Sequence, residues 1–511
     1  MKNTIAALLL LTTGAAALSG ATPLEKELVE SNKLRRVLTR SKLVEGGNLL
    51  QSWAYATPER NRGFGGTAHK QTVDYLYNEA LKYGYDVYKQ EFKSVYTSTT
   101  RVVGHVDGIE LALGSFRGSP STDGTLTASL VAVNAPGCST ADFGRFADSL
   151  TGKILVIPRG ICSFAEKVQL AHSVGASGVL LVNTDDTPAT SVLTPGPSLV
   201  PAAGISSSLG EQILSKLASG KAMTATLDLQ YIAEERVTHN VIAQTKDGDP
   251  NNVIMIGAHT DSVPEGPGIN DDGSGTLAIL EIMKELNNFR VNNAIRFAWW
   301  SAEEFGLLGS NYFVENLTPE ERSKIKLYIN LDMIASPNYV YGVTDGDGSV
   351  FSGTSAPGSA EVEKVFQDYF SIEVGKPYIE IEIGLGSTDY TAFIDSQIPF
   401  GDIYTGSGEI KTKEQVALFG GTAGIQLDPN YHQAGDTIDN CNTGAWIENT
   451  KAAAHIIALS ARSLDYMNNK APRPVKRGRI PEGYLGKVKS KRGVFGSGIN
   501  RASCGHSNEE I

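Results

Sequence analysis

Cysteine is scarce: only Cys138, Cys162, Cys441 and Cys504 occur in 511 residues, and no two are spaced as Cys-x-x-Cys. That pattern argues against a zinc site built from thiolates. No stretch reaches the roughly 18 apolar residues a spanning helix needs, so no membrane segment is expected. Basic residues are also short. Lys+Arg number 45 against 56 Asp+Glu, a net charge of −11, so no basic surface dominates and nucleic acid is not an expected partner. Charged residues (20%) and aromatics (8%) are near globular averages. Pervasive disorder, collagen and coiled coil are thereby excluded. What is abundant is glycine, at 54, which favours many tight loops.

The charge is uneven. Lys470 to Ile511 hold ten Lys/Arg and three Glu, so the remainder carries 35 basic and 53 acidic residues. A strongly acidic body is followed by a basic tail (470–511), read as disordered, with dibasic pairs at Lys476-Arg477 and Lys491-Arg492. At the other end, Lys2, the apolar run Ile5–Leu11 and the small residues Ala15–Ala21 read as a secretory signal over residues 1–21. The product is therefore expected outside the cell, or in a vacuole, as a monomer. In such an oxidising compartment Cys138 and Cys162 are placed to form a disulfide. Asn316-Leu317-Thr318 is a glycosylation sequon.

Leu and Val at three- and four-residue spacings make residues 24–60 helical, either as a propeptide or as an outer helix. Thr67–Tyr83 reads as a second helix and Tyr85–Thr97 as a strand. Residues 22–124 are taken as the first part of the main domain. Residues 125–230 change character to short β-rich runs split by Gly/Pro/Ser loops, an inserted domain. From 231 to 469 the pattern is α/β. Val253–Ala258, Ala294–Trp300 and Leu327–Ile334 are apolar runs of buried strands, separated by helices at Gly275–Asn287 and Ser310–Lys326. The fold class is thus α/β, a mostly parallel or mixed sheet sandwiched by helices with a β-rich insert. Ligands in such folds gather at the carboxyl ends of strands.

Those ends carry chemistry. His259-Thr260-Asp261 follows the first run, then Gly268-Ile269-Asn270-Asp271-Asp272. Glu303-Glu304 follows the second run, Asp332 lies in the third, and Tyr431-His432 precedes Asp436. Imidazole and carboxylate are what zinc accepts where thiolates are absent. A carboxylate can bridge two ions, and two zinc ions sharing a water make it nucleophilic near neutral pH. Asp332 in an apolar strand also demands a partner, because a buried carboxylate is costly alone.

Two resemblances rest on these residues. Gly137-Cys138, Lys153 to Lys167 and Gly175-Ala176-Ser177-Gly178-Val179 resemble a protease-associated domain, whose two cysteines are usually bridged. The ordered set of His259, Asp271, Glu303-Glu304, Asp332 and His432 resembles the di-zinc aminopeptidases, a family that includes secreted fungal leucine aminopeptidases. The resemblance implies a zinc-exopeptidase fold and two Zn²⁺ ions. His259 and Asp332 would hold one ion, Glu304 and His432 the other, and Asp271 would bridge them. It implies Glu303 as general base acting on a zinc-bridging water, Asp261 orienting His259, and Tyr431 donating to the oxyanion. It also implies a cis Asp271–Asp272 peptide. The expected substrates are peptides with a free amino end and an apolar, leucine-like first residue. Two departures stand out. Asn430 and Gly435 occupy positions where relatives carry cysteines, and Gly386-Ser387-Thr388-Asp389 stands for Gly-Arg-Ser-Asp. The rival readings are a carboxypeptidase on the same scaffold, which would need an arginine for the substrate carboxylate, a receptor-like relative without catalysis, and a single-zinc aminoacyl cyclase.

Overall fold

The computed structural model describes residues 26–133, 136–143, 150–193, 195–351 and 355–468. The secretory signal at 1–21 and the basic tail at 470–511 lie outside these residues.

A strand buried on both faces needs apolar residues at every position and divides them by parity. Asp249–His259 from Val253 onward, Asn293–Trp300, Ile325–Leu331 and Phe400–Tyr404 are mostly apolar and almost wholly buried, and they pair in parallel. Ile254, Ile256, Phe297, Trp299, Leu327 and Ile329 pack into the principal core. Their neighbours Met255, Ala298, Trp300 and Tyr328 enter a second core on the opposite face. Helices Gly273–Leu286 and Thr443–Arg462 cover the first face, while Leu308–Glu315 and Tyr390–Asp395 bring Phe313 and Phe393 to the second. Thr224–Gln244 pairs antiparallel to Asn293–Trp300, and Gly342–Thr344 antiparallel to Phe400–Tyr404, so the sheet is mixed. The third strand ends at Leu331, one residue earlier than Asp332, which therefore sits just beyond it.

The amino-terminal segment belongs to this fold. Helices Ser31–Val37 and Arg40–Tyr55 bury Leu34, Leu43 and Leu50 in the principal core. Leu28 bridges to Arg290, and Arg462 donates to the Val29 carbonyl at 3.0 Å. Within the stretch read as helical, the described residues carry these two helices.

Two 21-residue strands, Asp86–Val106 and Thr224–Gln244, pair antiparallel as a ribbon leading out of this sheet. The first runs well past Thr97. At its far end stand the parallel strands Leu126–Ala132, Ile154–Pro158, Gly178–Val182 and Ala202–Ile205. Helix Phe164–Ser173 of this lobe starts at a capping box of Ser163 and Glu166, which reciprocally satisfies two backbone donors. Cys138 and Cys162 are disulfide-bonded. Leu111 and Phe116 contribute to the lobe's cores, so it reaches back before residue 125.

Docking of the first helix creates a pH liability. Ser31 Oγ lies 2.7 Å from His455 Nδ1. Burial, helped by Arg35 and opposed by Glu373 and Asp368, lowers the His455 pKa to about 4. The folded protein therefore refuses a proton that the unfolded chain accepts below about 6.5, so stability is lost as pH falls from about 6.5 to 4. The full effect is about 3 kcal/mol at roughly 1.4 kcal/mol per pKa unit. His455→Gln should show a smaller drop in melting temperature between pH 7 and 4.5 than the wild type. Identical drops would contradict this account.

Candidate metal centre

The strand ends converge. His259 closes Asp249–His259, Glu303 and Glu304 form a 3-10 turn after Asn293–Trp300, and Asp332 follows Ile325–Leu331. Asp271 comes from the loop before helix Gly273–Leu286, and His432 from a distant loop. Gly275 allows the helix to approach, since a Cβ there would stand 2.2 Å from the Leu331 carbonyl. Ala302 (φ 59°), Met333 (φ 55°) and His432 (φ 56°) all take the left-handed backbone. For residues with a Cβ this costs energy, and such positions cluster where geometry serves function.

Asp271 stands between the two imidazoles. Its Oδ1 is 3.2 Å from His259 Nε2 and its Oδ2 3.1 Å from His432 Nε2. Glu304 Oε2 is 3.1 Å from His432 Nε2. Asp332 Oδ1 and Glu303 Oε2 are each 3.8 Å from His259 Nε2. Buried polar atoms are normally hydrogen-bonded, yet His259 Nε2, Glu304 Oε1 and Asp332 Oδ1 have no such partner. Nitrogen and oxygen donors left open in this way fit zinc, and the shared Asp271 fits a pair of ions. His259 also lies near Asp272 and Asp332 in a second potential ligand group. Asp272, however, is committed to the backbone. Its Oδ2 accepts from His259 N–H at 3.1 Å and its Oδ1 from Gly275 N–H at 2.8 Å, capping the helix.

The electrostatics show a surplus of negative charge. Burial opposes protonation of His259, but Glu303, Asp261, Asp271 and Asp332 together raise its pKa well above the usual imidazole value. His432 rises against burial to about 10, driven by Glu304 and Asp271. Burial pushes the Glu303 carboxyl well above its usual range, with Glu304, Asp389 and Asp332 adding to the rise. Burial and Asp271 raise Glu304. Burial likewise holds the Tyr431 hydroxyl protonated, far above a normal phenol, and its ring stacks on His432 at 3.8 Å.

Several further contacts support these residues. Asp436 accepts from the N–H of Asn270 at 2.8 Å and of Asp271 at 3.0 Å, which holds Asp271 in place. The Asp271–Asp272 peptide is cis. His259 Nδ1 is 3.2 Å from the Asp261 carbonyl and 3.7 Å from its carboxylate, so the main chain makes the hydrogen bond. Asp261 Oδ1 instead takes the Glu303 N–H at 3.1 Å. Thr388, in the Gly-Ser-Thr-Asp loop, donates to Asp332 Oδ2 at 2.7 Å. Gly65 N–H donates to His69 Nδ1, leaving Nε2–H for Thr260 Oγ1 at 2.9 Å. Fully buried Arg62 donates to the carbonyls of Thr260, Pro267 and Gly268 and pins the loop carrying the first motif. Nothing local around Arg62 or His69 signals these contacts. Asn430 donates to Asn440 Oδ1 at 2.7 Å, and a Cβ on Gly435 would lie 2.1 Å from Asn430 Oδ1.

A cleft opens over Asp271, Glu303, Glu304 and Asp332. Met333, Tyr404 and Tyr431 also line it, in an apolar cluster with Ile381. Among the described residues its lining contains no Arg or Lys.

Comparison with known proteins gives the same picture. A family model described as Peptidase family M28 matches residues 240–457, and one described as PA domain matches residues 126–213. The chain is 47% identical over 428 residues to the probable leucine aminopeptidase 2 of Aspergillus fumigatus, covering 83% of this chain and 84% of that protein. It is 43% identical over 461 residues to leucine aminopeptidase 2 of Arthroderma otae, covering 90% and 91%. Its fold matches an aminopeptidase from Aneurinibacillus sp. strain AM-1 with TM-score 0.68 at 25% identity, over 85% of this chain and 97% of that one. A zinc aminopeptidase from Bacillus subtilis shares the fold with TM-score 0.60 at 23% identity, covering 85% and 96%.

Proposed function

The chain belongs to peptidase family M28 and carries an inserted PA domain, and on that premise we propose that it is an exported, zinc-dependent aminopeptidase releasing apolar first residues from peptides. The observation that carries this reading is Asp271, whose two oxygens face His259 and His432 at 3.2 and 3.1 Å. His259 and Asp332 would hold one zinc, His432 and Glu304 the other, with Asp271 common to both. When bound, the ions supply Lewis-acid polarisation of the scissile carbonyl and acidify a water.

The chain's own groups do the rest. Glu303 takes the proton of the attacking water and returns it to the leaving amine. Asp261 fixes the Glu303 backbone through its N–H. Tyr431, kept protonated by burial, donates to the developing oxyanion. The side chain of the first residue meets Met333, Tyr404 and Tyr431. Export is supported by the Cys138–Cys162 disulfide, which suits an oxidising compartment, and by the exposed sequon residue Asn316. No helix among the described residues is long and apolar enough to cross a membrane.

The direction of cutting follows from charge. Glu303 and the outer carboxylate oxygens attract an α-ammonium, through charge-assisted hydrogen bonds worth roughly 1.5–3 kcal/mol each. A terminal carboxylate would meet like charge with no Arg or Lys in the lining. Leucine-containing peptides with free amino ends should be trimmed one residue at a time, and N-acetylated versions should be cut about tenfold or more slowly in kcat/KM. Mass spectrometry of the released residues checks this. Equal cleavage of both forms, or release of C-terminal residues first, would favour the carboxypeptidase.

A further inference from the structure

A row of polar side chains runs behind the centre, through the aromatic packing of the second core. Trp300 Nε1 lies 2.9 Å from Tyr328 Oη, and Tyr328 Oη 2.9 Å from Asn330 Oδ1. Asn330 Nδ2 lies 3.1 Å from Thr388 Oγ1, and Thr388 Oγ1 2.7 Å from Asp332 Oδ2. The first four residues are at most 1% exposed, so water does not compete for these bonds.

The directions of these bonds are determined. An indole nitrogen only donates, so the Tyr328 oxygen accepts from Trp300 and gives its own proton to Asn330 Oδ1. The other end of the amide demands the same orientation. Asn330 Nδ2 also lies 3.2 Å from Asp402 Oδ1, and Asp402 Oδ2 takes the Thr344 hydroxyl at 2.8 Å. A flipped amide would set oxygen against oxygen at Asp402 and nitrogen against a donor at Tyr328. With Asn330 donating into Thr388 Oγ1, the single Thr388 proton is directed to Asp332 Oδ2. That engages Oδ2 and leaves Oδ1, buried and without a hydrogen-bond partner, on the side of His259 Nε2 at 3.8 Å.

We propose that Asn330 is a positioning residue of the metal centre. Held between Tyr328 and Asp402, it sets the direction of the Thr388 hydroxyl and thereby selects which oxygen of Asp332 faces the ion. This inference rests on the reading of Asp332 as a zinc ligand. The bland alternative is that Asn330 only ties the strand Ile325–Leu331 to its neighbour Phe400–Tyr404.

Zinc affinity separates the two, measured on the full chain after metal stripping, by competition with a chromophoric chelator. Thr388→Val should weaken one of the two zinc sites about tenfold or more, as loss of an outer hydrogen bond to a ligand typically does. Thr388→Ser, which keeps the hydroxyl, should retain wild-type affinity. Asn330→Leu should match Thr388→Val, and the double variant should be no weaker than Thr388→Val alone, because both act through one hydrogen bond. Asn330→Ser should show the same loss should the leucine disturb the sheet. Losses that add in the double variant, or Asn330 variants that bind both ions with wild-type affinity, would overturn the proposal. A wild-type protein that binds no zinc would bring down the metal reading and this inference together. Wild-type binding of two ions with unaffected Asn330 variants would bring down this inference alone.

Discussion

Glu303→Gln is expected to cut turnover by about 10²–10⁴-fold while leaving zinc content unchanged, because removing a general base has that typical cost. The amide keeps the shape of the side chain and its backbone anchor, the Glu303 N–H to Asp261 Oδ1 at 3.1 Å. It cannot take a proton. Glu303 Oε2 stands 3.8 Å from His259 Nε2, while Glu304 Oε2 stands 3.1 Å from His432 Nε2. Neighbouring glutamates thus have different settings, and Glu304→Gln should instead weaken metal binding. Near-normal turnover in Glu303→Gln would show that another group is the base. Steady-state kinetics with an aminoacyl-p-nitroanilide, alongside elemental analysis of each variant, reads both effects.

Removing the metal should abolish activity and also lower the melting temperature. Stripping leaves Asp271, Glu303, Glu304 and Asp332 around two imidazoles, with His259 Nε2, Glu304 Oε1 and Asp332 Oδ1 buried and unpartnered. Unpaired buried charge is destabilising, and an ion that binds only the folded state stabilises it by mass action. A chelator should therefore eliminate hydrolysis and shift the thermal transition down, and added zinc should restore both. Full activity after chelation would remove the metal from the mechanism. His432→Ala should reproduce the stripped state at one site, since its imidazole meets both Asp271 and Glu304 at 3.1 Å.

Much of this centre is legible in the chain. Strands buried on both faces read as mostly apolar runs, and each run followed by His, Glu or Asp places a candidate ligand at the same edge of a parallel sheet. Val253–Ala258 followed by His259 is the clearest case. The supporting contacts are hidden for a physical reason. Asn330 reaches Asp402 only because Ile325–Leu331 pairs with Phe400–Tyr404, and no local pattern announces that neighbour. Arg62 and His69 act on residues about 190 to 205 positions away in the chain. The spacing after His432 singles out Asp436, but its role is seen only when its oxygens lie on the Asn270 and Asp271 amides. The ribbon strand beginning at Asp86 is legible only to Thr97. Beyond that residue part of the strand exposes both faces, which blurs the alternation on which such readings depend.

The central claim is a two-ion centre shared through Asp271, and counting zinc tests it most directly. Purified, active protein should contain two zinc ions per chain by elemental analysis, and Asp271→Ala should lose both, because each imidazole faces one of its oxygens. Active wild-type protein holding one ion or none, or an Asp271→Ala variant that keeps two, would contradict the account.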